Sequence, residues 1–216
     1  MKNISKKHID AFDKFNYVVN LKSTKDRVKY IKTIERICRG SLEYKNYIAF
    51  LRENINMTKC SFFNGVENGD AGSKHIRIEI HHDPLTLFDI TDTIITKFQE
   101  NGTPLDSFMI ADEVMANHYS NRVGLIPLSK TIHEMVHNSD KIFIPLHLVY
   151  GRYKEFFNEY GDYMSDELYK KLESKITQTK SINTNTFDSL KVEYVYLDVE
   201  GFTLPHRIEK YEDEVG

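Results

Sequence analysis

Cysteine is scarce in this chain: Cys38 and Cys60 are the two among 216 residues. Two cysteines do not make a disulfide framework or a cysteine-type zinc site, so a reducing cytoplasm is the natural setting. Long apolar runs are lacking too. No stretch approaches the roughly 20 residues of a membrane span. The nearest, 142–150, is short and is interrupted by His147. The N-terminus has no long apolar stretch, so no signal peptide is expected. There is no P-loop, no dinucleotide-type glycine fingerprint and no Gly-x-Ser-x-Gly elbow, which weakens nucleotide-hydrolase and esterase readings. Internal repeats and low-complexity tracts are also missing. These absences leave a cytoplasmic protein (in a host cytoplasm, if phage-encoded) without a membrane partner.

What is present is ordinary for a globular chain, with 40% apolar and 28% charged residues. The length suffices for a real core and suggests one compact domain overall. Three segments are expected within it: a helical basic segment over 1–57, a core over 58–140, and an α+β segment over 141–216 packed on that core. The net charge of −3 does not advertise a nucleic-acid partner, but its distribution is uneven. Residues 1–40 hold eleven Lys/Arg against four acids, a local +7, and the remainder carries −10. Such asymmetry points to a local anion-binding face. The Lys/Asn/Ile-rich composition is compatible with an AT-rich phage or mobile-element genome.

The hydrophobic pattern reads as helix-rich α+β. Ser23 can cap a helix ending near Gly40, with Val28, Ile31, Ile34 and Cys38 on its inner face. Lys25, Lys29, Lys32, Arg36 and Arg39 recur at spacings of four, three, four and three, and form one basic stripe opposite. The stripe reads either as a solvated face or as a phosphate-tracking one. A second helix is expected over 43–54. Residues 60–66 have strand character, 67–72 are turn-rich, and a strand over 75–82 would pair back as a hairpin. Pro84 ends that strand. Helices are then expected from Leu87 to Asn101-Gly102 and over 105–119, the latter with Phe108, Ala111, Met115 and Tyr119 on one side. A short strand follows over 123–126, then a helix capped by Ser129. Further on, 142–144 reads as a buried strand or edge, 151–160 and 165–177 as helices, and 191–199 as a half-buried strand.

Four histidines fall into two short clusters. His81 and His82 end the strand over 75–82, where Arg77, Glu79 and His81 share a parity opposite to Ile76, Ile78 and Ile80. His133 and His137 sit one turn apart on one helical face. Two imidazoles at i and i+4 can share a cation. Adjacent strand residues point opposite ways, so the His81-His82 pair suits a division of labour: one ring binds metal and the other stays free. Each cluster alone is also compatible with plain surface histidines. His8, His75, His147 and His206 read as surface or core residues, whereas His118, just before the second strand, is close enough in sequence to approach the site.

Taken together, the two segments resemble the HNH (ββα-metal, His-Me finger) endonuclease family. Ile80-His81-His82-Asp83 looks like the first strand of its motif. Leu125-Ile126-Pro127-Leu128, followed after four residues by His133-Glu134-Met135-Val136-His137, looks like the second strand and helix. The run Arg77-Ile78-Glu79-Ile80-His81-His82-Asp83 is also similar to that of the colicin-type DNases. The likeness covers about 25 positions of the chain, in the family's order.

The resemblance implies an HNH-like ββα-metal core. It makes His81, His133 and His137 the ligands of one divalent metal ion, which is Mg²⁺, Mn²⁺, Ni²⁺ or Zn²⁺. It makes His82 the general base of a DNA endonuclease, with RNA also admissible as substrate, and Glu79 an acidic residue that orients a ligand or an arginine. Lys25, Lys29, Lys32, Arg36, Arg39 and Arg77 would hold the nucleic acid. Three departures from the family pattern stand out. Gly124 occupies the position of the family's central Asn, with Asn121 three residues earlier as a substitute. Ser129 and Ile132 occupy the positions of zinc-binding cysteines. Two helices, over 85–120, separate the motif strands. The alternative is a non-catalytic nucleic-acid-binding or structural phage protein that retains a degenerate HNH fold.

Overall fold

The first helix starts where a serine side chain can satisfy its end. In the computed structural model, which describes residues 21, 23–63, 66–67, 76–138 and 142–182, Ser23 Oγ accepts the Asp26 N–H and α1 runs Thr24–Gly40. The cap supplies an acceptor to one of the amides a helix start leaves unpaired. Tyr30, Ile31, Ile34 and Cys38 form its buried face, with Val28 half-buried at the edge. Ser41 then serves two helices. Its N–H donates to Cys38 O at 3.0 Å, and its Oγ accepts the Tyr44 N–H at 3.0 Å to open α2, Leu42–Glu53.

The region 85–120 does hold two helices. A reciprocal capping box between Thr86 and Asp89 starts α3, Leu87–Glu100. Asp106 Oδ1 accepts the Phe108 and Met109 N–H groups to start α4, Ser107–Tyr119. Both pack against α1. Arg27, one of the N-terminal cations, is engaged in that packing: its guanidinium bonds Asp92, Thr96 and Gln99 of α3. The inner face of α4 differs from the expected one. Ile110, Ala111, Val114, Met115 and His118 are buried, while Phe108 and Tyr119 stay about half exposed (56% and 52%). At about 100° per residue the buried arc lies roughly a quarter turn round from Phe108 and Tyr119. Packing of α4 against α1, α2 and α3 sets that rotation.

Strands β1 (Ile78–His82) and β2 (Leu125–Ser129) pair antiparallel, His81 opposite Ile126 and His82 opposite Leu125. This replaces the expected hairpin between 60–66 and 75–82. Residues 60–63 form a turn instead, held by a single Lys59–Glu67 bridge, and the Ser61 N–H donates to Pro127 O at 2.9 Å. That segment therefore lies along the far side of β2. Residues 142–144 do not form a strand either; Tyr150 supplies β2 with a bridge to Leu125, with two 2.8 Å hydrogen bonds.

Helix α5 (Lys130–Asn138) continues straight from β2 and packs on both strands. The chain goes on through α6 (Tyr153–Tyr160) and α7 (Asp166–Ser181, capped by Ser165). Among the described residues the architecture is helix-rich α+β, with seven helices and one two-stranded sheet. No described helix is long and apolar enough to cross a membrane. The expected strand over 191–199, and His8, His75 and His206, lie outside the described residues.

Candidate metal centre

The β2–α5 junction sets the site. Ser129 closes β2 and its Oγ faces the Ile132 N–H at 3.5 Å, so α5 starts beside β1. One turn apart on that helix, His133 and His137 turn towards the end of β1, where His81 is buried. The three ring centroids lie 4.6 to 5.1 Å apart. One ring nitrogen from each falls within 4.8 Å of the others. The Nε2 atoms of His133 and His137 are 3.2 Å apart.

Glu79 fixes one of these rings. His133 Nδ1 donates to Glu79 Oε2 at 2.8 Å, so the Nε2 lone pair is the one turned into the cluster. The same carboxylate receives Arg77 Nε at 3.4 Å. Burial, then the neighbouring His133 and His137, pushes the His81 imidazole down to about 3. Burial likewise lowers His133, against the opposing pull of Glu79. A metal ligand must present a neutral ring, and burial favours that form here. The donor set, three imidazoles with a carboxylate behind one of them, fits a borderline divalent cation such as Zn²⁺ or Ni²⁺.

His82 faces away from this trio. It is buried, and its Nε2 lies 2.9 Å from Nε2 of His118, whose Nδ1 is 2.7 Å from the Val114 carbonyl. Burial drives His82 well below the usual histidine range, and burial pushes His118 down to about 4. His82 still lines a cavity of about 390 Å³ shared with His81, His133 and His137.

Three arginines from three segments line that cavity: Arg39 from the end of α1, Arg52 from the end of α2 and Arg77 just before β1. Of the expected nucleic-acid-binding residues, Arg39 and Arg77 reach it. Lys25, Lys29, Lys32 and Arg36 do not; they lie exposed along α1, leading to Arg39. Arg52 is an addition. Nothing in the sequence marks it, because its place depends on the packing of α2 near β1, where its Nη2 faces Ile78 O at 3.5 Å.

Gly124 is required where it stands. A Cβ there would lie 1.9 Å from the Asp83 carbonyl oxygen. The two backbones are clamped directly, the Asp83 N–H donating to Gly124 O at 3.0 Å. Asn121 adopts positive φ (53°) and accepts from the Tyr47 hydroxyl at 3.3 Å, so its side chain braces α2 rather than His82. On the other side of β1, Asp83 Oδ1 meets Lys175 Nζ of α7 at 2.6 Å.

A family model described as bacteriophage G278-like virion protein matches residues 2–202. No curated protein and no solved structure matches the chain.

Proposed function

The chain belongs to the bacteriophage G278-like virion protein family, and from that premise we propose that it is a component of the phage particle whose trihistidine centre acts on the phosphodiester backbone of DNA. The observation carrying this reading is the single cavity in which three imidazoles converge beside a fourth, with three arginines around them. This reading takes β1, β2 and α5, with His81, His133 and His137 on them and α3 and α4 inserted between the strands, as an HNH-like core.

In this reading His81, His133 and His137 hold one divalent ion. Such an ion, when bound, polarises a phosphate and offsets charge on the leaving oxygen. The chain's own groups do the rest. Arg39, Arg52 and Arg77 present planar donor forks suited to phosphate oxygens. The exposed stripe of Lys25, Lys29, Lys32 and Arg36 carries the backbone onwards by charge alone. His82, neutral because it is buried, accepts a proton from the attacking water. Glu79 keeps the His133 ring turned and holds Arg77 beside it. RNA offers the same phosphates and is a competing substrate.

A second reading has its own support. The family is described by its place in the particle, and His82 is buried. Here the protein is a non-catalytic structural component, and the same three histidines bind a cation that braces β1 against α5. The family finding weighs towards this second reading, and the cavity weighs towards the first.

One experiment separates them: supercoiled plasmid incubated with purified protein and Mg²⁺, Mn²⁺, Ni²⁺ or Zn²⁺. The first reading expects nicking that EDTA stops and that His82→Ala slows by about 10²-fold or more. Undiminished cleavage by folded His82→Ala removes His82 as the base. Absence of any nicking, together with a melting temperature raised by metal, supports the structural reading.

A further inference from the structure

His118 lies outside the trihistidine cluster, fully buried in α4, the second of the two inserted helices. Its ring makes two polar contacts, and their chemistry leaves one proton arrangement. Val114 offers a carbonyl, which only accepts, so His118 Nδ1 carries a hydrogen across that 2.7 Å contact. Burial pushes His118 down to about 4, and the Arg39 charge adds to the effect, so near neutral pH the ring holds that one proton only. Its Nε2 is then a bare lone pair facing His82 Nε2 at 2.9 Å. His82 must be the donor in this contact. Its own ring is buried, and a neutral ring that donates from Nε2 has no hydrogen on Nδ1.

We propose that His118 is a positioning residue that locks His82 in the Nε2–H tautomer, so that Nδ1 is the only nitrogen of His82 able to take a proton. The tautomer follows from the contacts alone; its functional meaning rests on the phosphodiesterase reading. In the proposed step the proton leaves water for His82 Nδ1 and the ring becomes imidazolium; the water oxygen's electron pair makes the new O–P bond, the ester bond from phosphorus to the leaving sugar oxygen breaks with its pair on that oxygen, and a solvent proton completes the hydroxyl. His82 keeps its Nε2–H bond to His118 throughout, and His118 keeps its own proton on Val114. No proton moves along the relay. It supplies a fixed dipole with its lone pair aimed at the charge that develops on His82.

The ring that does this is itself well held. Tyr44 and Tyr47 meet His118 edge-on, with centroids 5.8 and 5.5 Å away at interplanar angles of 70° and 88°. Tyr47 is in turn tied through its hydroxyl to Asn121. The inserted α4 is therefore part of the site: it carries the acceptor behind His82, and the turn after α4 braces the tyrosine that packs on that acceptor.

Nitrogen-15 spectroscopy of histidine-labelled, metal-free protein tests this without any need for activity. The expected result is a bare Nδ1 and protonated Nε2 on His82, the reverse pattern on His118, and a nitrogen–nitrogen coupling across the His82–His118 bond. In His118→Phe the coupling vanishes and the His82 Nε2–H exchanges with solvent at least tenfold faster. In His118→Gln, whose side-chain carbonyl can accept, the protection is retained. A wild-type His82 protonated on Nδ1 would overturn the proposal, and so would unchanged His82 protection in folded His118→Phe. Plasmid cleavage is read in parallel on portions of the same samples after Mg²⁺, Mn²⁺, Ni²⁺ or Zn²⁺ has been added. If no sample cleaves while the nitrogen pattern holds, the nuclease reading fails and the tautomer lock stands. If the wild type and His118→Gln cleave and His118→Phe does not, both stand. If folded His118→Phe cleaves at the wild-type rate, the positioning role falls and the nuclease reading stands.

Discussion

Glu79 decides more at the scale of single residues than its half-buried place on β1 suggests. Its carboxylate fixes the His133 tautomer by a 2.8 Å bond and leaves the Nε2 lone pair for a cation. Outer partners of this kind are worth about 10–100-fold in metal affinity. Glu79→Gln is therefore expected to weaken divalent-metal binding by roughly that factor while the melting temperature of the metal-free protein hardly moves; an unchanged dissociation constant would contradict the role. Lys175 makes a contrasting case. It pairs with Asp83 in a nearly closed environment, and burial pushes the Asp83 carboxyl up against the pull of Lys175. Lys175→Met strands that carboxyl, and a loss on the order of 3 kcal/mol is expected in urea unfolding. A loss within experimental error would show that Asp83 simply takes up a proton. The two histidine pairs were legible in residue type and spacing, but each alone also fitted surface histidines, and it was the HNH resemblance that joined His81, His133 and His137 in one cluster. His118 and Arg52 were not, since each owes its role to a helix packing against β1 and no local pattern records that.

Local signals served well for single elements and poorly for their pairing. The Ser23 cap, the stop at Gly40, and the two helices between the motif strands are written in capping residues and apolar spacing, which act within a few positions. The partner of β1 is not written that way. A turn-rich stretch beside 60–66 favoured a local hairpin, yet β1 pairs with β2 across α3 and α4, where Leu125, Ile126 and Leu128 need cover on both faces. Gly124 shows how a local departure is explained by that pairing. Its position, taken by Asn in the HNH pattern that these segments resemble, here touches the Asp83 backbone so closely that no side chain fits. Gly124→Ala and Gly124→Asn are both expected to destabilise the fold by about 2 kcal/mol or more, since overpacking against backbone cannot be relieved by a rotamer. Asn at this position is not expected to restore anything, and a melting temperature equal to the wild type for either variant would refute the clamp.

For the whole molecule, the buried imidazoles set an acid limit. His118 has a folded pKa of about 4 against an ordinary 6.5, so the unfolded chain takes up the proton first. Its contribution to stability is complete above about 6.5 and declines as the pH falls towards 4, by something on the order of 3 kcal/mol. His82, also pushed down by burial, acts in the same direction, and Asp83, pushed up by burial, opposes it at lower pH. Urea titrations from pH 7.5 to 4.5 should show this decline, and His118→Gln should lessen it, leaving the part due to His81 and His82; a flat wild-type profile would contradict a neutral buried pair. Charge is likewise arranged over the whole molecule: the cationic stripe of α1 ends at Arg39, on the rim of the cavity that the histidines close. Both proposed readings of this phage protein require those histidines to take a cation. Calorimetric titration of metal-free protein with Zn²⁺, Ni²⁺ and Mn²⁺ tests that requirement most directly. The account expects one equivalent bound by the wild type and none by His133→Ala/His137→Ala; a wild type that binds no metal, or a double variant that binds it equally well, would contradict it.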